Sequence, residues 1–339
     1  MEIPLALAKT QHWAKHFLGG LYFPRRPFKT PVFIFSTRRS ASTLLMEMIA
    51  GQPGFNYHAQ PLDLWLYHPN RSQIPQPPQF QYTSLTEDEA ALLCRYFAGL
   101  LEGRIRFRSQ WNWLSPDYHW QVDRWVVKLL NTNPLIDWFT ENFDLQVVYL
   151  LRHPIPVALS ILQRGWDCIA GAFLNDDQFC EQYLEPGAVR ESRQILATGT
   201  PLQKYVLEWG LANAAPLRIC QDRPWLTLTY EELVTRPRAV CQALAAYLDL
   251  PDVDGMVARL EQPSATTQAA SRVDLAHRGP QYLLQRWQTQ VDPGEARAAL
   301  APLHDLFGLG AYTWDSPYPD EDLCHFGPLE TGWPPERAR

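Results

Sequence analysis

Residues 31–36, PVFIFS, carry four consecutive apolar, β-favouring side chains and run straight into a polar turn, TRRSAS, and then into TLLMEMIA with apolar residues at helical spacing. A strand that is apolar at every position is buried on both faces, and a sheet covered by helices on both sides provides that environment. One strand-turn-helix unit is therefore expected near the start of the chain.

Three more segments read as strands: RWVVKLL at 124–130, LQVVYLLR at 145–152 and PWLTLTY at 224–230, each followed by a helical pattern. The alternation predicts an α/β, three-layer fold in which a central parallel sheet is flanked by helices. SLTEDEAALL at 84–93 has a capping-type helix start. Before it, the Pro/Gln-rich stretch at 68–84 is expected to be a surface loop or lid. The reading divides the chain into a helical leader over 1–30, a main domain over 31–314 and an irregular tail over 315–339.

At 339 residues and 46% hydrophobic, the chain is long enough for a sizeable core. A net charge of -6 with only short basic clusters excludes a general nucleic-acid surface, so any anion site must be local. The leader has neither a basic n-region nor an apolar run near ~20 residues, which speaks against a signal peptide or membrane span. Cys94, Cys168, Cys180, Cys220, Cys241 and Cys324 show no CxxC or Cys/His ligand spacing, and they read as reduced thiols of a cytoplasmic protein.

The turn after the first strand points backbone N–H groups and the positive end of a helix dipole into a concavity. Ser40, Ser42 and Thr43 add hydroxyl donors there, and Arg38 and Arg39 add permanent charge in planar forks suited to phosphate or sulfate oxygens. The plainer alternative is that the hydroxyls cap the helix and the arginines are solvated. A magnesium-dependent P-loop has the pattern G-x-x-x-x-G-K-[ST], and this turn has neither the glycines nor the Lys.

STRRSASTLL resembles the 5'-phosphosulfate loop of the sulfotransferases that use 3'-phosphoadenosine 5'-phosphosulfate (PAPS), in its R-S-G-S-T-L-L form, with Arg39 on the family's Lys/Arg. VVYLLRHPIPVALS resembles the 3'-phosphate segment of that family, with Arg152 closing a strand and Ser160 eight residues later. LTLTYEEL is similar to the Y-E-D-L segment, whose Tyr, here Tyr230, lies near the adenine. HRGP at 277–280 resembles the late R-K-G loop and carries over Arg278 and Gly279. The matches keep the family's order from about residue 31 to 280, and they imply a P-loop-like fold and a sulfotransferase domain over 31–314.

The resemblance implies that PAPS is bound, and the bisphosphate product PAP released, by Arg38, Arg39, Ser40, Ala41, Ser42, Thr43, Arg152, Ser160, Tyr230, Arg278 and Gly279. It implies an acceptor with a hydroxyl, a small molecule, lipid, polyketide or sugar, and no metal is required where cations neutralise the leaving group. Arg39 is placed at the bridging oxygen and Lys128 near the transferring sulfuryl group. The family's base positions are occupied here by Leu130 and Gln60, and Gln takes no proton at neutral pH. His58, in the same loop as Gln60, is the expected base, with Asp63 and His119 as competitors. Ala41 stands where the family keeps Gly, and Leu44 where many members keep a Trp that stacks on adenine.

Thirteen tryptophans, clustered in WNWLSPDYHW and PLDLWLYHP, are expected mostly in the core, with a few lining an acceptor pocket. Two rival functions stay open on the sequence: a catalytically inactive PAP- or PAPS-binding member, motivated by Ala41 and Gln60, and a nucleotide-dependent kinase.

Overall fold

The computed structural model describes residues 22–64, 68–105, 119–219, 223–264, 266–267, 269–310 and 312–319. Five strands, β1 (Val32–Ser36), β2 (Phe55–Ala59), β3 (Arg124–Leu129), β4 (Gln146–Leu151) and β5 (Leu226–Thr229), form one sheet in the order β2-β3-β1-β4-β5. Every pairing is parallel. The α/β fold with a helix-flanked parallel sheet is thus as the apolar runs required.

The period of two along β1 separates two cores. Phe33 and Phe35 point to one face, where they pack with Phe97, Phe139 and Tyr149, while Val32 and Ile34 point to the other, with Leu45, Val148 and Leu244. All five residues of β1 are buried, and each of the large side chains stabilises the fold by about 1.5–3 kcal/mol.

The first face is covered by α2 (Glu87–Leu101), the second by α1 (Ser42–Ala50). Further along come α3 (Pro154–Leu162), α4 (Pro201–Ile219), α5 (Tyr230–Thr235), α6 (Pro237–Leu248), α7 (Val253–Leu260), α8 (Ala269–Gln285) and α9 (Pro293–Phe307). The capping box foreseen at the start of α2 is present, between Thr86 and Glu89. A second one starts α5, between Thr229 and Glu232.

The expected helical leader lies outside the described residues up to 21. From Tyr22 the chain is extended, and Phe23–Pro24 pairs in parallel with Gln121–Val122. The expected tail is described only to Pro319, which bridges back to Tyr312. No helix among the described residues is long and apolar enough to cross a membrane.

The Pro/Gln-rich stretch forms two single 3-10 turns, Arg71–Gln73 and Pro78–Phe80. Tyr82 N–H donates to Asn131 O at 2.9 Å and Tyr82 OH to Pro75 O at 2.9 Å. These bonds tie the end of the stretch to the loop after β3 and to its own Pro75, and Gln79 and Phe80 face the main cleft.

Candidate active site

The strand order fixes where a ligand fits. From β1 the chain crosses to β2 at the far edge, returns through β3, and only then passes to β4 and β5 on the other side. The loops leaving the carboxyl ends of β1 and β4 diverge, which opens a crevice above them. A cleft of about 890 Å³ lies there.

The β1 loop is built around two residues in the left-handed region, Arg39 (φ 66°) and Ala41 (φ 68°). Thr37 Oγ1 and Ser40 Oγ, 2.7 Å apart, close the turn between them. Ala41 occupies the N-cap of α1 but has no side chain to cap it, and the first turn of α1 contains no acidic residue. The helix dipole therefore faces the cleft without a negative charge of its own.

Three cations converge on this turn. Arg39 Nε donates to Ser160 Oγ at 2.9 Å, and Arg152 Nη1 donates to the carbonyl of Arg39 at 3.0 Å. Lys128, at the end of β3, donates from Nζ to Thr43 Oγ1 at 2.9 Å and is only 3% exposed. The Arg152 guanidinium lies 4.3 Å over the Tyr230 ring, and its Nε is buried without a hydrogen-bond partner among the described residues. None of the three pairs with a carboxylate among the described residues.

Burial shows in the acidity of Arg39 and Lys128. Burial, and then repulsion from Arg164 and Arg152, brings Arg39 down to about 10. Burial takes Lys128 down to about 8, opposed by Glu47 and Asp63 and assisted by Arg39. Such a cluster is destabilising when alone and becomes favourable when an anion enters.

Arg38 departs from its expected role. Its Nη2 donates to Glu208 Oε1 at 2.5 Å and to Asp167 O at 3.1 Å, and its guanidinium sits 5.9 Å from the Trp166 ring. Arg38 still borders the cleft, but its charge is neutralised by a carboxylate of α4.

His58 also departs from its expected place. It pairs with Val127 in register and so shares the face of Trp125, on whose ring it stacks at 4.3 Å; it is 2% exposed and is not among the residues lining the cleft. His119 lies near the amino ends of the strands, its Nε2 3.2 Å from Gly51 O. Asp63 alone of the three base candidates lines the cleft, together with Gln60 and Lys128. Burial pushes its carboxyl up, and Lys128 pulls it down.

Gln60 sits in the left-handed region (φ 56°), its N–H donating to Lys128 O at 2.8 Å. Leu44 lines the cleft as expected of its position. Gly279 kinks α8 with φ 78°. Arg278 is exposed against Tyr282 at 4.5 Å rather than in the cleft.

The kinked helix and the turn after it bring Ser271, Arg286 and Trp287 to the cleft instead. The Gly279-Pro280 pair, which breaks the helical pattern, was the sequence signal for that bend. Of the tryptophans, Trp125, Trp209, Trp225 and Trp287 are buried, Trp166 stands at the cleft 39% exposed, and Trp13, Trp65, Trp111, Trp113 and Trp333 lie outside the described residues.

Comparison with known proteins finds a match of residues 31–254 to the model of a family described as the sulfotransferase family. Among solved structures, the chain is similar to a sulfotransferase domain from the curacin biosynthetic pathway, at 17% identity over 83% of this chain and 98% of that one, with a TM-score of 0.46. It is similar to the sulfotransferase domain of the Synechococcus PCC 7002 olefin synthase, at 18% identity over 85% and 97%, with a TM-score of 0.47. It is also similar to a sulfotransferase from Mycobacterium avium, at 13% identity over 84% and 82%, with a TM-score of 0.34. No curated protein sequence matches it significantly.

Proposed function

The chain belongs to the sulfotransferase family, and on that premise we propose that it transfers a sulfuryl group from PAPS to a hydroxyl of a small-molecule acceptor. The observation that carries the reading is the convergence of Arg39, Lys128 and Arg152 on the open N-terminus of α1, with no carboxylate paired to any of them among the described residues. A donor with phosphate groups at its 5' and 3' positions fits this arrangement of cations and hydroxyls.

PAPS, when bound, supplies the sulfuryl group and a bisphosphate leaving group. Arg39, the hydroxyls of Ser42 and Thr43 and the first N–H groups of α1 hold the 5' end, where negative charge grows as the bridging bond breaks. Lys128 neutralises charge beside Thr43. Arg39 cannot serve as the proton donor, since a guanidinium stays protonated throughout the neutral range. Arg152 and Ser160 hold the 3' end, and Tyr230 supports Arg152 from below.

The acceptor end is formed by Gln60, Asp63, Gln79, Phe80, Leu130 and Asn131. There the acceptor hydroxyl proton goes to Asp63, whose burial makes it a stronger base than a surface carboxylate. This replaces His58, which faces Trp125. The four described cysteines, all free, accord with a reducing compartment, and we assign the protein to the cytoplasm.

The test is calorimetric binding of PAP against AMP and ADP, with Arg152→Ala alongside. PAP is expected to bind more tightly than either, and Arg152→Ala to weaken PAP by about tenfold to a hundredfold while AMP changes little. PAP binding no tighter than AMP would refute the donor assignment.

A further inference from the structure

The family match ends at residue 254, yet residues further along the chain fold back onto the turn that carries Arg152. His153, next to Arg152, is fully buried, its ring 4.6 Å from Trp287 and 4.9 Å from Tyr312. Its Nδ1 accepts the Ile155 N–H at 3.2 Å and so caps α3. With Nδ1 as acceptor, Nε2 carries the proton and donates to Thr313 O at 3.2 Å.

Glu231 ties the same pieces together from the other side. It is 1% exposed; Oε1 accepts the backbone N–H of His153 at 3.0 Å and Oε2 accepts the Tyr312 hydroxyl at 3.1 Å. Its chain neighbour is Tyr230, whose ring supports the Arg152 guanidinium. One carboxylate therefore joins the β4 turn, the β5 turn and the C-terminal segment.

A buried carboxylate is unfavourable unless its oxygens are bonded, and an apolar residue would pack in this place at lower cost. What the carboxylate adds is a fixed relation between the backbone after Arg152 and the ring beneath it. A long arginine side chain loses less on binding an anion when it is held in place beforehand. We infer that Glu231, oriented by Tyr312, is a positioning residue that sets Arg152 for the 3'-phosphate of the donor. A segment beyond the family-matched region thereby governs donor selectivity. This rests on the donor reading proposed above.

The test measures the Kd of PAP and of AMP for the unaltered protein, Glu231→Ala, Glu231→Gln and Tyr312→Phe, with a thermal melt of each. In Glu231→Ala the ratio of AMP to PAP Kd is expected to fall about tenfold, with AMP affinity held within about twofold. Tyr312→Phe lowers the ratio less. Glu231→Gln recovers part of it, because the amide oxygen still accepts from His153.

An unchanged ratio in both Glu231→Ala and Tyr312→Phe overturns the inference. So does a parallel loss of PAP and AMP affinity, which is the mark of a merely structural role. If Glu231→Ala does not fold, Tyr312→Phe, which removes a single hydroxyl, decides alone. An unaltered protein that binds PAP no tighter than AMP refutes the donor reading itself, and the inference falls with it.

Discussion

Two cavities of nearly equal size lie at opposite ends of the same sheet, about 890 Å³ at the carboxyl ends of the strands and about 870 Å³ near their amino ends. Both are bordered by cations. At the amino ends, Arg124 is buried and donates from Nε to Thr30 O at 2.7 Å, from Nη1 to Leu248 O at 2.5 Å and from Nη2 to the side chain of Gln146. Lys29 there pairs with Asp123 at 3.5 Å. At the carboxyl ends, Arg39, Lys128 and Arg152 have only hydroxyl, carbonyl and ring partners among the described residues. The donors of Arg124 are filled by acceptors from within, whereas Nε of Arg152 is buried with no hydrogen-bond partner among the described residues. A basic cavity is thus a structural joint when its donors are filled from within, and a binding site when they are left for a ligand.

The largest expected effect separates the two kinds of arginine. Arg39→Ala is expected to lower kcat on the order of a thousandfold, the scale of losing a cation at developing leaving-group charge. Its melting temperature should hold or rise, since a repulsive charge is removed. Arg124→Ala should do the reverse: a loss of about 3 kcal/mol in denaturant titration, because three acceptors lose their donor. If Arg39→Ala unfolds the protein while Arg124→Ala impairs turnover, the distinction between joint and site is wrong.

The next largest effect concerns the base. Asp63→Asn is expected to lower kcat by about a hundredfold or more with PAP affinity little changed. His58→Ala should leave kcat within a few-fold of normal and lower stability by about 1–3 kcal/mol, since it removes a buried ring from its stack on Trp125. A collapse of turnover in His58→Ala, measured in protein shown to be folded, would return the role to the histidine.

These contrasts also mark what the chain's order of residues could reveal. The strands β1, β3 and β4 were legible because they are short apolar runs whose burial needs no distant partner to explain it; β2 (FNYHA), with Asn56 and His58 breaking any apolar run, was read as a loop and is a strand. The turn from Thr37 to Thr43 was legible because its donors are neighbours in sequence. The ion pair of Arg38 was not legible since its partner Glu208 is on α4, and only the packing of α4 against the sheet brings them together. His58 was misread because its face depends on the register with Val127, and a shift of one residue would have reversed it. Arg286 and Ser271 could not be assigned to the cleft before the bend at Gly279 was known. The Glu231 network closes through Tyr312, which lies outside every motif that was recognisable.

A smaller effect sharpens the comparison through pH. Lys128, depressed to about 8 by burial, is charged below that value, and an entering phosphate favours the charged form. PAP affinity should therefore fall above about pH 8, by at most about tenfold per pH unit. Stability should move the opposite way. Between about 8 and the ordinary lysine value the unfolded chain holds the proton that the folded chain has released, so stability rises with pH across that window. Lys128→Arg, followed by calorimetry across the same range, should remove the fall in affinity. A fall that persists would assign it to another group.

The smallest effect tests the turn itself. Ala41 holds φ 68° where a glycine would sit without strain, and a non-glycine residue in that region costs about 1–2 kcal/mol. Ala41→Gly relieves that strain but adds freedom to the unfolded chain, so the net gain is expected to be about 0.5–1 kcal/mol. Turnover should be unchanged, because the turn is also held by the Thr37–Ser40 bond and by Arg152 on the Arg39 carbonyl. A large rise in kcat with Gly at 41 would show that the methyl group keeps the donor away from the helix N-terminus. The loop would then be wider than those bonds imply, and strain, more than charge, would limit this end of the sheet.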